Sequence, residues 1–291
     1  YDPKNILITG GLGFIGSNLI RKLLMDTEFK IINLDFCGYS SDPNIFKNLF
    51  EDKKSYLERY KFFNLDLINL ELLKKLFLEI KPNMIFHLAA ESHVDRSIDN
   101  PLPFLKSNII GTFNLLEVSR IYFEELSPKR KEEFKFIHIS TDEVYGSLEG
   151  NKKLFNEKTR YDPRSPYSAS KASSDHLVRS WHHTYGLPTV ICNCSNNYGP
   201  WQYPEKLIPN VILKALNNEI IPIYGSGENI RDWLFVEDHV DALIEISIKG
   251  ISGESYCIGG NNEKKNIDLA ILICDHLDLI KPTKKKYSKL I

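Results

Sequence analysis

Asn5-Ile6-Leu7-Ile8-Thr9-Gly10-Gly11-Leu12-Gly13-Phe14-Ile15-Gly16 is the stretch that decides the fold of this chain. A short apolar strand runs into a glycine cluster, and an amphipathic helix over Phe14–Met25 follows directly. The glycines read as G-x-G-x-x-G from Gly11 or as G-x-x-G-x-x-G from Gly10. Either spacing permits a tight turn, close approach of a pyrophosphate and an open helix N-terminus to face its charge. Glycines alone mark many ordinary turns, so the strand-turn-helix context carries the argument. A second strand, Lys30–Leu34, leads to Asp35, at the distance of about 20 residues where such folds place a ribose-binding carboxylate. That carboxylate would repel a 2′-phosphate, so the expected cofactor is NAD rather than NADP. The alternative for Asp35 is a plain strand-end turn residue.

The same alternation continues outward. Strands are expected at Phe62–Leu65, Met84–Ala90, Phe134–Ile139 and Thr189–Cys194, with helices at Leu70–Glu79 and Phe104–Glu125 between them. Repeated β-α units with strands buried on both faces predict an α/β doubly wound parallel sheet of the Rossmann kind. Asp66 at the third strand's end is a second candidate, for the adenine edge. Leu88, Ala89, Ala90 and Ser92, after the fourth strand, would line cofactor and sugar. Beyond Asn197 the pattern changes: Tyr198–Pro204 is turn-rich and aromatic, and Gly225-Ser226-Gly227 marks another loop. The expected division is an NAD-binding domain over 1–198, with 229–256 returning to it. A smaller C-terminal substrate-binding lobe would hold 199–228 and 257–291. Residues 232–248 read as a helix.

Composition narrows the function. The chain has 291 residues, a formal net charge of −1 and no basic stripe with interleaved aromatics, so a nucleic-acid partner is not expected. No apolar run approaches the ~20 residues that span a bilayer, and no signal peptide precedes the first strand, so no membrane partner is expected either. The five cysteines, Cys37, Cys192, Cys194, Cys257 and Cys274, show no zinc spacing and no C-x-x-C pair. Structural thiols in a reducing cytoplasm, with no metal, are the expectation. The chain opens at Tyr1 without a methionine, which suggests a trimmed start.

The chemistry lies in two further stretches, Ser140-Thr141-Asp142-Glu143-Val144-Tyr145-Gly146 and Ser165-Pro166-Tyr167-Ser168-Ala169-Ser170-Lys171. Ser165-Pro166 is a helix entry, and Tyr167 and Lys171 then fall on one helix face. A free phenol has a pKa of about 10, so a base near neutrality needs a drop of roughly 3 units, about 4 kcal/mol. A neighbouring ammonium, the helix N-terminus and a cationic cofactor ring would all favour phenolate. Tyr-x-x-x-Lys pairs also arise by chance, and here the glycine fingerprint and strand-end Thr141 give the pair its meaning. Tyr167 with NAD accounts for oxidising a sugar alcohol but leaves Asp142 and Glu143 over. Once C4 is a ketone, the C5 proton is removable, so Glu143 as base and Asp142 as acid at the C6 hydroxyl could expel water. The alternative is that both carboxylates are solvated turn residues.

Together these motifs resemble the nucleotide-sugar 4,6-dehydratases of the extended short-chain dehydrogenase/reductases. The resemblance includes His87–Ser97, Thr141-Asp142-Glu143, Tyr167 with Lys171, Asn193–Pro200, Tyr203–Pro209, Ile230-Arg231-Asp232-Trp233 and Asn262–Asn266. It implies a lyase that oxidises C4, eliminates water across C5 and C6, and reduces C6. Asp142 would be the proton donor, Glu143 the C5 base and Tyr167 the C4 base. It further implies that Ser92, Thr141 and Asn196 touch the sugar or its diphosphate. Asn197 would lie near the nicotinamide, and Leu67 and Ser107 would join the cofactor contacts. Lys206, Leu207, Pro222, Tyr224, Arg231 and Asn266 would hold the diphosphate and nucleoside. Arg231 suits phosphate, which guanidinium binds bidentately; its alternative is an ion pair with Asp232 or Glu228. The implied substrate is dTDP-glucose, with UDP-glucose second, and the implied assembly is a homodimer through the helices near 104–125 and 168–185. A C4 epimerase or decarboxylase, or a silent NAD-binding scaffold, are the alternatives. Phe36-Cys37-Gly38 departs from the family's usual residues there. Family members also continue past the position of Ile291, which suggests a substrate lobe truncated at its C-terminus.

Overall fold

The computed structural model describes residues 4–147 and 154–291; the expected domain start at Tyr1 lies outside them. The chain forms two compact units. One takes in the chain up to Cys194 together with Val240–Ile258, and the other holds Ser195–His239 and Gly259–Ile291.

In chain order the strands are β1 (Asn5–Thr9), β2 (Lys30–Asp35), β3 (Tyr60–Asn64), β4 (Met84–His87), β5 (Lys135–Thr141) and β6 (Thr189–Cys194) in the first unit. β7 (Asn196–Tyr198) and β8 (Ile230–Phe235) belong to the second, β9 (Ser255–Ile258) to the first and β10 (Glu263–Lys265) to the second. The first unit is a seven-stranded sheet in the order β3-β2-β1-β4-β5-β6-β9, with every pair parallel. Its strands are continuous apolar runs because helices cover both faces. One face packs Leu19, Ile20, Leu23 and Leu24 of helix Phe14–Asp26 with Val240 and Leu243 of helix Val236–Lys249. The other packs Leu73, Leu76 and Phe77 of helix Leu70–Ile80 with Leu115 and Leu116 of helix Thr112–Glu124. Each such side chain contributes roughly 1.5–3 kcal/mol by leaving water. Strand order reverses between β1 and β4, which opens the ligand crevice of doubly wound sheets at the strands' C-terminal ends.

Three expectations about elements need correcting. Met84–Ala90 is strand only to His87; Leu88 to Ala90 form a connection beyond the sheet edge. The helix expected over Phe104–Glu125 is composite: a π segment, Leu105–Gly111, joins a short turn at Leu102–Phe104 to the α-helix Thr112–Glu124. The third concerns 232–248. Residues up to Phe235 form β8, and the helix begins at Val236. Asp232 is the reason, since its carboxylate accepts the Gly260 and Asn262 N–H groups, both at 2.7 Å, and fastens β8 to the approach to β10.

The second unit carries the three-stranded sheet β10-β8-β7. Its core is Val211, Ala215, Ile221, Ala270, Cys274 and Tyr287. These come in part from helices Leu207–Leu216 and Asn266–Ile280, which set apolar residues on the faces they share.

Candidate active site

The glycine turn has the shape a dinucleotide needs. Gly10 sits at φ +72°, and a Cβ there would lie 2.7 Å from the Ala89 nitrogen. At Gly16 a Cβ would lie 2.4 Å from the Gly10 oxygen, inside the turn. Gly13 differs, because the nearest neighbour of its Cβ would be that same oxygen at 3.3 Å, which leaves its outer side clear. Gly13 heads helix Phe14–Asp26 with no side-chain cap, and no acidic residue stands in the first turn. The amides of Phe14, Ile15 and Gly16 are therefore left as a ready anion site.

Asp35 is 5% exposed and does more than end a strand. One carboxylate oxygen accepts the Leu12 N–H at 3.0 Å, and the other accepts the Cys37 N–H and the Ser41 hydroxyl, both at 2.9 Å. It thus ties the glycine turn to the end of β2, and with about four lone-pair sites it keeps capacity for a ribose hydroxyl. Leu88 and Ala89 are held beside β1 by their N–H groups, which donate to the Thr9 carbonyl and hydroxyl at 3.2 Å each. Asp66 is exposed and accepts the Ile68 N–H at 3.0 Å, as a local turn does, while Leu67 is buried next to it. Ala90 and Ser107 are half-buried and Ser92 is exposed.

At the end of β5 the chain tightens into a 3-10 turn over Asp142–Tyr145. Thr141 makes that turn: its hydroxyl accepts the Glu143 N–H at 3.2 Å and donates to Asp142 Oδ1 at 3.3 Å. Helix Pro166–Tyr185 enters through Ser165 and Ser168, whose hydroxyls and backbone N–H groups bond reciprocally, and it stops at left-handed Gly186. That frame fixes Tyr167 and Lys171 one turn apart, both buried. The buried Tyr167 phenol lies within electrostatic reach of Glu143 and Asp142, which oppose its ionisation, and of Thr141, which favours it.

The electrostatics of Tyr167 reverse the expected direction. Burial pushes its phenol well above the ordinary value, and Glu143, Cys194 and Asp142 add to that, with only the Thr141 hydrogen bond opposing. Lys171 sends its ammonium to the Ile139 carbonyl at 2.8 Å. Without ligands Tyr167 is a neutral phenol.

Residues of the second unit are placed as follows. Asn196 and Asn197 lie on β7, and Asn197 donates to the Ser195 carbonyl at 2.9 Å and contacts His239 Nδ1 at 2.8 Å. Lys206 and Leu207 open helix Leu207–Leu216. Pro222 and Tyr224 are exposed, Tyr224 at 78%. Neither ion pair considered for Arg231 forms: Asp232 is taken by Gly260 and Asn262, Glu228 pairs with Lys265, and among the described residues exposed Arg231 reaches only the Ile230 carbonyl. Asn266 heads helix Asn266–Ile280 with a buried Oδ1 that has no hydrogen-bond donor.

Asn108 escaped the sequence reading. Buried in the π segment, it accepts the Glu91 N–H and donates to the Glu91 carbonyl, both at 2.9 Å, and to Ser170 Oγ at 2.8 Å. Ser97, also missed, accepts the Tyr167 N–H at 3.2 Å. A polar residue within an apolar helical run was the available signal for Asn108; for Ser97 it was its place at the end of the His87–Ser97 stretch.

Known proteins share this arrangement. A family model described as GDP-mannose 4,6 dehydratase matches residues 7–290. The dTDP-glucose 4,6-dehydratase of Shigella flexneri is 50% identical, over 98% of this chain and 80% of its own length. The solved structure of dTDP-glucose 4,6-dehydratase from Bacillus anthracis in complex with NAD matches with a TM-score of 0.84 at 42% identity, covering 97% of this chain and 83% of that one. A UDP-glucose 4-epimerase from Thermotoga maritima matches with a TM-score of 0.81 at 28% identity, covering 98% of this chain and 88% of that one. Fold and site thus define an extended short-chain dehydrogenase/reductase. Epimerases and dehydratases both use that scaffold, and the sequence identities separate them. The chain belongs to the dTDP-glucose 4,6-dehydratase family.

Proposed function

We propose that this chain converts dTDP-glucose to the 4-keto-6-deoxy sugar, as its relatives' names describe. NAD, when bound, takes the hydride from C4, gives it back at C6 and brings a positive ring charge. Gly10, Gly13 and Gly16 with the amides of Phe14 and Ile15 would hold its diphosphate, and Asp35 its ribose. Asp66, Leu67, Leu88, Ala89, Ala90, Ser107 and Asn197 are the further contacts we assign.

Tyr167 receives the C4 hydroxyl proton, and the Thr141 hydroxyl, by turning its one proton from Asp142 to the phenol, would favour the phenolate. Lys171 adds positive charge one turn away. Glu143 removes the C5 proton, and Asp142 delivers a proton to the departing C6 hydroxyl. Two carboxylates in one turn divide these roles only if their environments differ in the ligand-bound site, since the Thr141 hydroxyl on Asp142 by itself favours the ionised carboxylate. Ser92 and Asn196 are assigned to the sugar and diphosphate. Lys206, Leu207, Pro222, Tyr224, Arg231 and Asn266 are assigned to the diphosphate and nucleoside. Among the described residues the Arg231 guanidinium has no carboxylate partner and the buried Asn266 Oδ1 no donor, which supports those assignments.

The observation that carries this reading is the 3-10 turn that Thr141 closes at the end of β5, which presents Asp142 and Glu143 together beside the buried Tyr167–Lys171 pair. A C4 epimerase needs the phenol and the lysine but has no task for two carboxylates. Incubation with dTDP-glucose in heavy water should give a product lighter by one water, with deuterium at C5 and no net reduced cofactor. An unchanged sugar nucleotide, or a C4 epimer without C5 deuterium, would refute it. Run beside it, UDP-glucose should show the lower kcat/KM.

The assembly is proposed as a homodimer. Leu102, Leu105, Ile110, Phe113 and Ile121 expose 37–54% of their surface along the composite helix, a larger apolar run than scattered surface residues make. We place the enzyme in the cytoplasm. All five cysteines are free thiols, and among the described residues no helix is long and apolar enough to cross a membrane.

A further inference from the structure

Directly beneath the Tyr167–Lys171 pair lies a buried network that the reaction as described leaves without a task. Tyr167, Lys171, Asp175 and Arg179 recur at the four-residue spacing that aligns side chains on one helix face. Asp175 is 0% exposed. Its Oδ2 accepts the Tyr161 hydroxyl at 2.8 Å, the Ser140 hydroxyl at 2.9 Å and Asn193 Nδ2 at 3.1 Å. Its Oδ1 lies 3.2 Å from His138 Nε2, close but not aligned as a hydrogen bond. Asn193 carries the network onward: its Nδ2 also donates to the Thr141 carbonyl at 3.3 Å, and its Oδ1 accepts the Tyr145 hydroxyl at 3.3 Å. Ser140, Thr141 and Tyr145 bracket Asp142 and Glu143, so this one carboxylate holds the turn from both sides.

A carboxylate in such a place needs a counter-charge, because an unpaired buried charge is strongly disfavoured. Burial apart, His138 bears most on the Asp175 carboxyl, ahead of Lys171, but not as a standing charge. Burial and the charge of Lys171 push its imidazole down to about 4, so it is neutral at physiological pH. Arg179 turns to the Tyr161 and Ser255 hydroxyls, at 2.8 and 3.1 Å. Lys171 remains, fully buried, with the Ile139 carbonyl as its hydrogen-bond acceptor. Burial lowers its pKa, and Asp175 is the foremost charge lifting it back.

We propose that Asp175 is a positioning residue of this reaction, the buried counter-charge that keeps Lys171 cationic and the anchor of the Thr141–Tyr145 turn. The assignment rests on Tyr167 and Lys171 being the working pair. The groups facing Lys171 and Asp175 are His87 on β4, His138 on β5, Cys192 and Cys194 on β6, Tyr161, and Tyr167 and Arg179 on the same helix. Burial keeps His87 and His138 neutral and pushes the Cys192 thiol and the Tyr161 phenol up.

Asp175→Asn keeps the shape and removes the charge. Its kcat should fall by about tenfold or more while KM for dTDP-glucose moves by less than about threefold. The alkaline limb of its kcat profile should move to lower pH by about one unit, because Lys171 loses its proton sooner. A limb that stays in place, with or without a slower turnover, would overturn the proposal. Lys171→Met separates this outcome from failure of the underlying reading, since full turnover in that variant would dismiss Lys171 itself. Where Asp175→Asn folds poorly, thermal unfolding of Asp175→Asn/Lys171→Met decides. A double variant more stable than Asp175→Asn supports the charge pairing, and one no more stable overturns it.

Discussion

Gly13 and Glu143 show how single residues divide the labour. A Cβ at Gly13 meets only the Gly10 oxygen, at a tight 3.3 Å, so Gly13→Ala should fold at a small cost while losing the space where a pyrophosphate would approach. We expect a melting temperature lowered by no more than a few degrees and NAD affinity reduced by at least about tenfold, roughly 1.4 kcal/mol, by calorimetry. Glu143 sits foremost among the charges that raise the Tyr167 phenol. Glu143→Gln should therefore stop elimination and also lower the pKa of Tyr167, so that C4 oxidation extends to lower pH. Single-turnover traces of reduced cofactor across pH would show its acidic limb moved down; a limb moved up, or unmoved, would contradict the coupling. Much of the site was legible at this scale, because Asp35, Thr141, Tyr167 and Lys171 stand in local contexts that only their chemistry explains. The direction of the Tyr167 shift was not. It depends first on burial and then on the carboxylates of the turn after β5, and a helix wheel for 166–185 contains no information about either. Asp175 was hidden for the same reason: its partners come from β5, β6 and the stretch before the helix.

Elements were legible where hydrophobic periodicity was unbroken. β1, β2 and β6 and the helices at Phe14–Asp26 and Leu70–Ile80 fall where the pattern puts them, within the usual end fraying. β8 escaped because Asp232 and Arg231 look polar enough for an amphipathic helix. Only the distant Gly260 and Asn262 amides give that carboxylate its place in a sheet. The π segment was equally invisible, since one extra residue per turn leaves the apolar pattern almost unaltered. The exposed apolar face of the composite helix carries the element-scale prediction. Phe113 is 37% exposed and meets Trp181 edge-on at 5.7 Å, so it belongs to both helices of the proposed contact. Phe113→Glu should convert a dimer to a monomer in sedimentation while leaving NAD affinity within about twofold, because a charge at an apolar interface core is poorly tolerated. A variant that remains dimeric would move the interface elsewhere.

For the whole molecule, buried histidines set the acid limit. His138 titrates at about 4 in the folded chain and His239 at about 3, against about 6.5 when unfolded, each because burial disfavours the cation. The unfolded chain therefore binds these protons first. Their stabilising effect is complete above about pH 6.5 and is lost as pH falls toward the folded values. Melting temperature should fall by several degrees between pH 7 and pH 5, and His138→Gln should flatten that slope; a flat wild-type profile would argue against neutral burial. The order of β9 in the sheet has a different consequence, one of timing. β9 pairs with β6, yet the segment from Ser195 to His239 that builds the second unit is made between them. During synthesis the nascent first unit waits with the β6 edge unpaired until Ser255–Ile258 leaves the ribosome. A bare edge on a slow-forming parallel sheet invites pairing with another chain. The interval between translating Cys194 and Ile258 is thus the period when the β6 edge is open to such pairing.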